Sequence, residues 1–123
     1  MEQKTILVAD DETHILNVVS LKLKNAGFRV ICAHDGQEAI DLAKQEKPDL
    51  LITDHNMPHL TGLEVCQRMR QDPELAKTPA IMLSARGFQL EDNDTAASGI
   101  VMMISKPFSP RQLLTAVDQV LAA

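Results

Sequence analysis

Asp10-Asp11, Asp54, Ser84 and Lys106 each follow a short apolar run: Ile6-Leu7-Val8-Ala9, Leu50-Leu51-Ile52-Thr53, Ala80-Ile81-Met82-Leu83 and Val101-Met102-Met103-Ile104-Ser105. Such a run reads as a buried strand whose carboxyl end opens into a loop. In an open parallel sheet those ends line one edge, so residues far apart in sequence meet in one crevice. Three carboxylates, a hydroxyl and an ammonium would then converge. Each feature alone has a plainer explanation: Asp10-Asp11 can cap the following helix, and a single Asp, Ser or Lys is an ordinary strand-end residue. The joint occurrence of these groups is what points to a site.

Electrostatics narrows the chemistry. Two carboxylates about 5 Å apart at an effective dielectric of about 20 repel by roughly 3 kcal/mol, so the cluster requires a cation. Hard oxygen ligands select Mg²⁺, Mn²⁺ or Ca²⁺, and few protein ligands suit Mg²⁺, which keeps water positions open for phosphate oxygens. Lys106 supplies a second, fixed positive charge. A carboxylate between these charges can attack a phosphoryl group in line and form an acyl phosphate. Asp54, alone on the central run, is the candidate nucleophile, with Ser84 to hold a phosphoryl oxygen and Asp10-Asp11 to hold the metal.

The elements that must position these residues alternate along the chain. Five strands are expected near 4–9, 28–33, 49–54, 79–84 and 101–105, with helices between them, which is the pattern of a parallel sheet covered on both faces. The first helix, about 13–26, carries Ile15, Val18, Val19, Leu23 and Ala26 as its apolar stripe and stops at Gly27, a residue suited to a left-handed cap. Asp35 with Glu38, Thr61 with Glu64, and Ser109 with Pro110 and Gln112 mark three further helix starts. The segment 88–98, FQLEDNDTAAS, lacks an apolar stripe and is expected to form a short or loosely held fourth helix.

The bulk composition agrees. The 123 residues are 45% hydrophobic and 24% charged, fitting a single domain over 1–123 with no repeat or linker. Aromatics at 2%, no Trp or Tyr, and a formal charge of −5 argue against direct nucleic-acid binding, which needs clustered Lys and Arg or stacking rings. No apolar run is long enough to span a membrane. The N-terminus MEQKTILVADD meets two acids before a signal-peptide core could form, so a cytoplasmic location is expected. Cys32 and Cys66 lack metal or redox spacing and read as two reduced, buried thiols.

The motifs ILVADDE, PDLLITDHNMPHLTGLEVC, IMLSARG and ISKPF, in this order and spacing, resemble the receiver domains of two-component response regulators over the whole chain. The resemblance implies a flavodoxin-like, three-layer α/β fold with a doubly wound five-stranded parallel sheet in order 2-1-3-4-5 and five helices. It implies that Asp54 accepts phosphate from a histidine kinase or phosphotransfer protein. Mg²⁺, with Mn²⁺ as a substitute, would be held by Asp11, Asp54 and the backbone carbonyl of Asn56, with Asp10 acting through water. Ser84 and Lys106 would bind the phosphoryl oxygens, and Lys106-Pro107 would be cis. Such a domain is a switch that gains and loses its own phosphate, not an enzyme turning over a substrate. It acts on a downstream protein or a fused output domain, and both a free-standing receiver and part of a longer protein fit.

Two departures from the family pattern stand out. Met103 occupies a position that usually carries Tyr or Phe, so the aromatic switch is missing. The apolar run Ile100 to Ile104 falls on the strand that the inherited order puts at the sheet edge. It is either covered core or a face, with the fourth helix, for a partner or a second copy of the domain. Asn56 and Arg86, two residues beyond Asp54 and Ser84, are expected to set the lifetime of the phosphate. Rival readings are a phosphorylation-independent adaptor and a Mg²⁺-dependent phosphohydrolase with an Asp nucleophile. The latter would carry a second Asp where Asn56 stands. His55 and His59 flank a Met-Pro pair that precludes one helical ligand face and read as solvent-facing, and His14 and His34 are assigned no phosphotransfer role.

Overall fold

A computed structural model describes residues 3–84 and 98–122. In chain order these form β1 (Thr5–Ala9), α1 (Thr13–Asn25), β2 (Arg29–Ala33), α2 (Gly36–Glu46), β3 (Leu50–Asp54), α3 (Gly62–Gln71), β4 (Ala80–Ser84), β5 (Ile100–Ser105) and α4 (Pro110–Ala122). The five strands make one parallel sheet in the order β2-β1-β3-β4-β5. The helix expected near 88–98 lies outside the described residues apart from Ser98, as does Arg86.

Alternation along the strands divides the core between the two faces. Ile6, Val8, Leu50, Ile52, Ile81 and Leu83 pack with Leu16, Val19 and Leu23 of α1 and Leu113, Ala116 and Val117 of α4. Leu7, Ala9, Leu51 and Met82 pack with Ala39, Ile40 and Ala43 of α2 and Val65, Cys66 and Met69 of α3. Every residue of β3 is buried, as an all-parallel sheet covered on both sides requires.

The helix boundaries follow local signals. Glu38 donates its backbone N–H to Asp35 Oδ1 at 2.8 Å, and Thr61 and Glu64 form a complete reciprocal capping box. Gln112 N–H donates to Ser109 Oγ at 3.0 Å. Gly27 adopts φ 100°, the left-handed conformation expected of it. The apolar stripe of α1 is a correction: Leu16, Val19, Ser20 and Leu23 are buried, whereas Val18 and Ala26 face solvent. This helix has apolar residues on more than one side, and the position of α4 beside it decides which side is covered.

The β5 run resolves in a similar way. Its register against β4 slips between Ala80 and Ile81, so that Ala80 faces Ile100 and Ile81 faces Met102. Val101 is left out of the pairing and is 57% exposed, while Met102 and Met103 turn to opposite faces of the sheet and pack half-buried against the two cores. Most of the run is therefore core, with Val101 on the surface. Cys66 is buried as expected, but Cys32, on edge strand β2, is only half-buried; both are free thiols.

Candidate functional site

The hydrogen-bond ladder continues past the ends of three strands and fixes where each loop departs. Asp10 N–H donates to the Ala33 carbonyl at 3.1 Å, His55 N–H to Leu83 at 2.9 Å and Lys106 N–H to Ser84 at 2.8 Å. The loop after β3 is held between two glycines. A Cβ on Gly62 would lie 2.3 Å from the Asp54 carbonyl oxygen, and one on Gly36 would lie 2.4 Å from Leu60 Cβ. Only glycine lets α2 and α3 start this close to the loop that follows Asp54.

These constraints bring together carboxylates from two strand ends around one ammonium. Lys106 Nζ lies 3.1 Å from Asp10 Oδ2, 3.3 Å from Asp54 Oδ1 and 3.3 Å from Glu12 Oε1. Carboxylate oxygens of Asp10, Asp11 and Glu12 lie within 4.8 Å of one another. Asp10 and Asp54 are buried, Lys106 is half-buried, and Asp11 is exposed. Ser84 is buried at the end of β4, where Leu83 is the register partner of Asp54. Asn56 is exposed, with its side-chain oxygen 3.2 Å from His55 Nδ1. The Lys106-Pro107 peptide is cis.

Asp10 and Asp11 do not cap α1. The N-cap is Glu12, whose side chain makes no capping bond, while Asp10 Oδ1 accepts the Glu12 backbone N–H at 2.9 Å. Glu12 itself is the site residue the sequence reading missed. Its only local signal is being a third acid in succession, since its partner Lys106 lies 94 residues away. Also missed is an apolar groove of about 600 Å³ beside the site, lined by Ile15, Val18, Val19, Pro107, Phe108 and Pro110, with Glu12 and Lys106 on its wall. The histidines are less uniform than expected. His55 is half-buried, His59 is exposed, and His34 pairs with Glu38 at 3.2 Å.

Burial pushes the Asp10 and Asp54 carboxyls above the usual carboxylate range, and for Asp54 the neighbouring Asp10 charge adds to this. Lys106 opposes both shifts. Burial would lower the Lys106 pKa, but hydrogen bonds and charge attraction from Asp10 and Asp54 outweigh it, so the ammonium stays charged. The site gathers four carboxylates, those of Asp10, Asp11, Glu12 and Asp54, against one ammonium, which contacts three of them, Asp10, Glu12 and Asp54. The remaining negative charge, carried on hard oxygens, fits a divalent cation of the Mg²⁺ type.

Comparison with known proteins places the chain. The family profile described as response regulator receiver domain matches residues 6–118. The chain belongs to the response regulator receiver family. It is 38% identical over 118 residues to the alkaline phosphatase synthesis transcriptional regulatory protein PhoP of Bacillus subtilis, covering 96% of this chain and 48% of that protein. The receiver thus spans about half the length of this curated relative. Among solved structures, the chemotaxis response regulator CheY4 of Vibrio cholerae superposes with a TM-score of 0.89 at 33% identity, covering 97% of this chain and 99% of that one. The receiver domain of Francisella response regulator 1452 superposes with a TM-score of 0.84 at 30% identity, covering 96% of each chain. The fold is accordingly the flavodoxin-like receiver fold of two-component systems. Among the described residues no helix is long and apolar enough to cross a membrane.

Proposed function

We propose that this receiver, as one unit over residues 1–123, is phosphorylated on Asp54 by a histidine kinase or phosphotransfer protein and changes its binding to a downstream partner or output domain. The observation that carries the reading is the Asp54 carboxylate, buried at the end of the central strand and 3.3 Å from Lys106, beside a second buried aspartate.

In this reading an Asp54 oxygen attacks phosphorus in line, forming a P–O bond as the P–N bond to the donor histidine breaks. The histidine nitrogen keeps the electron pair. Lys106 stabilises charge on the phosphoryl oxygens, and Ser84 donates a hydrogen bond to one of them. Asp11, Asp54 and the Asn56 carbonyl would hold Mg²⁺ directly and Asp10 through water; the ion supplies further charge neutralisation on the phosphoryl group. The groove beside Lys106 suits the donor protein, because it offers apolar surface next to the acceptor. Asn56 and Arg86 would control access of the hydrolytic water, so Arg86→Ala is expected to shorten the phosphate lifetime in a single-turnover decay assay. The protein acts as a switch in the cytoplasm, not as an enzyme with turnover on a separate substrate. Exposed Val101, with half-buried Met102 beside it, is the surface proposed for a partner or a second copy.

Incubation with acetyl phosphate and Mg²⁺, followed by intact-mass measurement, tests the assignment. The native chain is expected to gain one phosphoryl group and Asp54→Asn none. Equal labelling of both would overturn it. A phosphorylation-independent adaptor is the second reading, favoured by Met103, which packs half-buried against the core where receivers usually carry a ring; phosphate-insensitive partner binding would support it.

A further inference from the structure

One of the three carboxylates around Lys106 has no part in the chemistry assigned above. Asp10 and Asp54 are buried strand-end groups, whereas the Glu12 side chain is 47% exposed and still reaches the ammonium at 3.3 Å. The contact is not a by-product of helix capping, since Glu12 occupies the N-cap of α1 without bonding the first-turn amides through its side chain. Its backbone does that work: the Glu12 carbonyl accepts Ile15 and Leu16 N–H at 3.1 and 3.2 Å. The backbone N–H of Glu12 is held by Asp10 Oδ1. The buried aspartate therefore sets the point from which the Glu12 side chain extends, and that side chain turns to Lys106 while His14 lies farther off, at 3.8 Å.

We propose that Glu12 is a positioning residue for Lys106, an outer counter-charge that keeps the ammonium at the mouth of the crevice when a divalent cation engages Asp10 and Asp54. The proposal rests on the receiver reading given above. Asp10 and Asp54 cannot serve the ammonium and a divalent cation fully at once, so cation affinity depends on how readily Lys106 releases them. With Glu12 present the lysine keeps one charged partner as it yields the other two. Without Glu12 the carboxylates that remain to the ammonium among the described residues are Asp10 and Asp54, and it competes with the cation for them.

The test is a double-mutant cycle on Mg²⁺ affinity, measured by titration calorimetry on the native chain, Glu12→Gln, Lys106→Met and the double variant. An ion pair of this exposure implies that Glu12→Gln weakens Mg²⁺ binding by about two- to fivefold when Lys106 is present, and by much less in the Lys106→Met background. Glu12→Asp keeps the charge but shortens the reach, and is expected to follow Glu12→Gln. Equal weakening by Glu12→Gln in both backgrounds, or native affinity in Glu12→Asp, would mean that Glu12 acts on the cation by charge alone and would overturn the proposal. A metal-free measurement stands beside it: the nitrogen-15 signal of the Lys106 ammonium is expected to shift, with proton exchange faster by about twofold or more, in Glu12→Gln. An unchanged ammonium signal overturns the proposal independently. A native chain that binds no Mg²⁺ would remove both this inference and the proposed Mg²⁺-dependent phosphorylation of Asp54, whereas Mg²⁺ binding without coupling removes this inference alone.

Discussion

Gly62→Ala is the perturbation that most directly joins the packing of the fold to the phosphoacceptor. The added Cβ would lie 2.3 Å from the Asp54 carbonyl oxygen, 3.0 Å from its carbonyl carbon and 3.1 Å from His55 Cα, all backbone atoms with no flexible side chain to yield. Restoring an ordinary contact of 3.4 Å requires a displacement of 1.1 Å (3.4 − 2.3). That motion also strains the Gly62 N–H bond to the His55 carbonyl, now 2.8 Å. Overpacking of this kind costs about 1–3 kcal/mol, and the better helix propensity of alanine returns less than about 1 kcal/mol of it. The urea midpoint should fall by roughly 1 M if the net loss is about 2 kcal/mol and the slope about 2 kcal/mol/M. Because the displaced carbonyl belongs to Asp54, a shift of this size should also slow labelling by acetyl phosphate roughly tenfold to a hundredfold. Gly36→Ala is the control: its Cβ meets Leu60 at 2.4 Å, so it should lose comparable stability and keep more of the labelling rate. A Gly62→Ala protein with the native midpoint, or one that is destabilised but labelled at the native rate, would refute the reasoning.

Lys106→Ala should leave Mg²⁺ affinity intact or tighter, because it removes a positive charge that shares Asp10 and Asp54 with the cation, while beryllofluoride binding weakens; a marked loss of Mg²⁺ affinity in calorimetry would contradict this. Burial raises the folded-state pKa of Asp10 above its unfolded value of 3.8, so ionisation of Asp10 destabilises the metal-free fold. Asp10→Asn should therefore raise the metal-free unfolding midpoint above the raised pKa, the gain fading as pH falls through that pKa towards 3.8; a lower midpoint at pH 7 would count against it. Burial pushes the Cys66 thiol up to about 12, so at pH 8.5 iodoacetamide should modify half-buried Cys32 first and Cys66 only as the protein unfolds, which peptide mapping over time would check.

The groups of the candidate site were readable from sequence because each follows an apolar run. Strand-end placement needs only a run of four or five apolar residues and the polar residue after it. The same holds for the capping pairs at Asp35, Thr61 and Ser109, whose interactions span three positions. The resemblance supplied the strand order and the cis Lys106-Pro107 bond, which the spacing of the runs does not contain. Tertiary structure decided the rest. Val18 and Leu16 both fit an apolar face of α1, and only the sheet and α4 determine that Leu16 is buried and Val18 exposed. The pairing of β5 with β4 leaves out Val101 and sends Met102 and Met103 to opposite faces, which no alternation in the run foretells. Glu12 was overlooked for the same reason. In sequence it is a third acid ahead of a helix, and its role comes from an ammonium 94 residues away that the parallel crossover connections bring to the same sheet edge. Local signals report interactions between near neighbours, whereas a site assembled from strand ends depends on the order and register in which the strands pair.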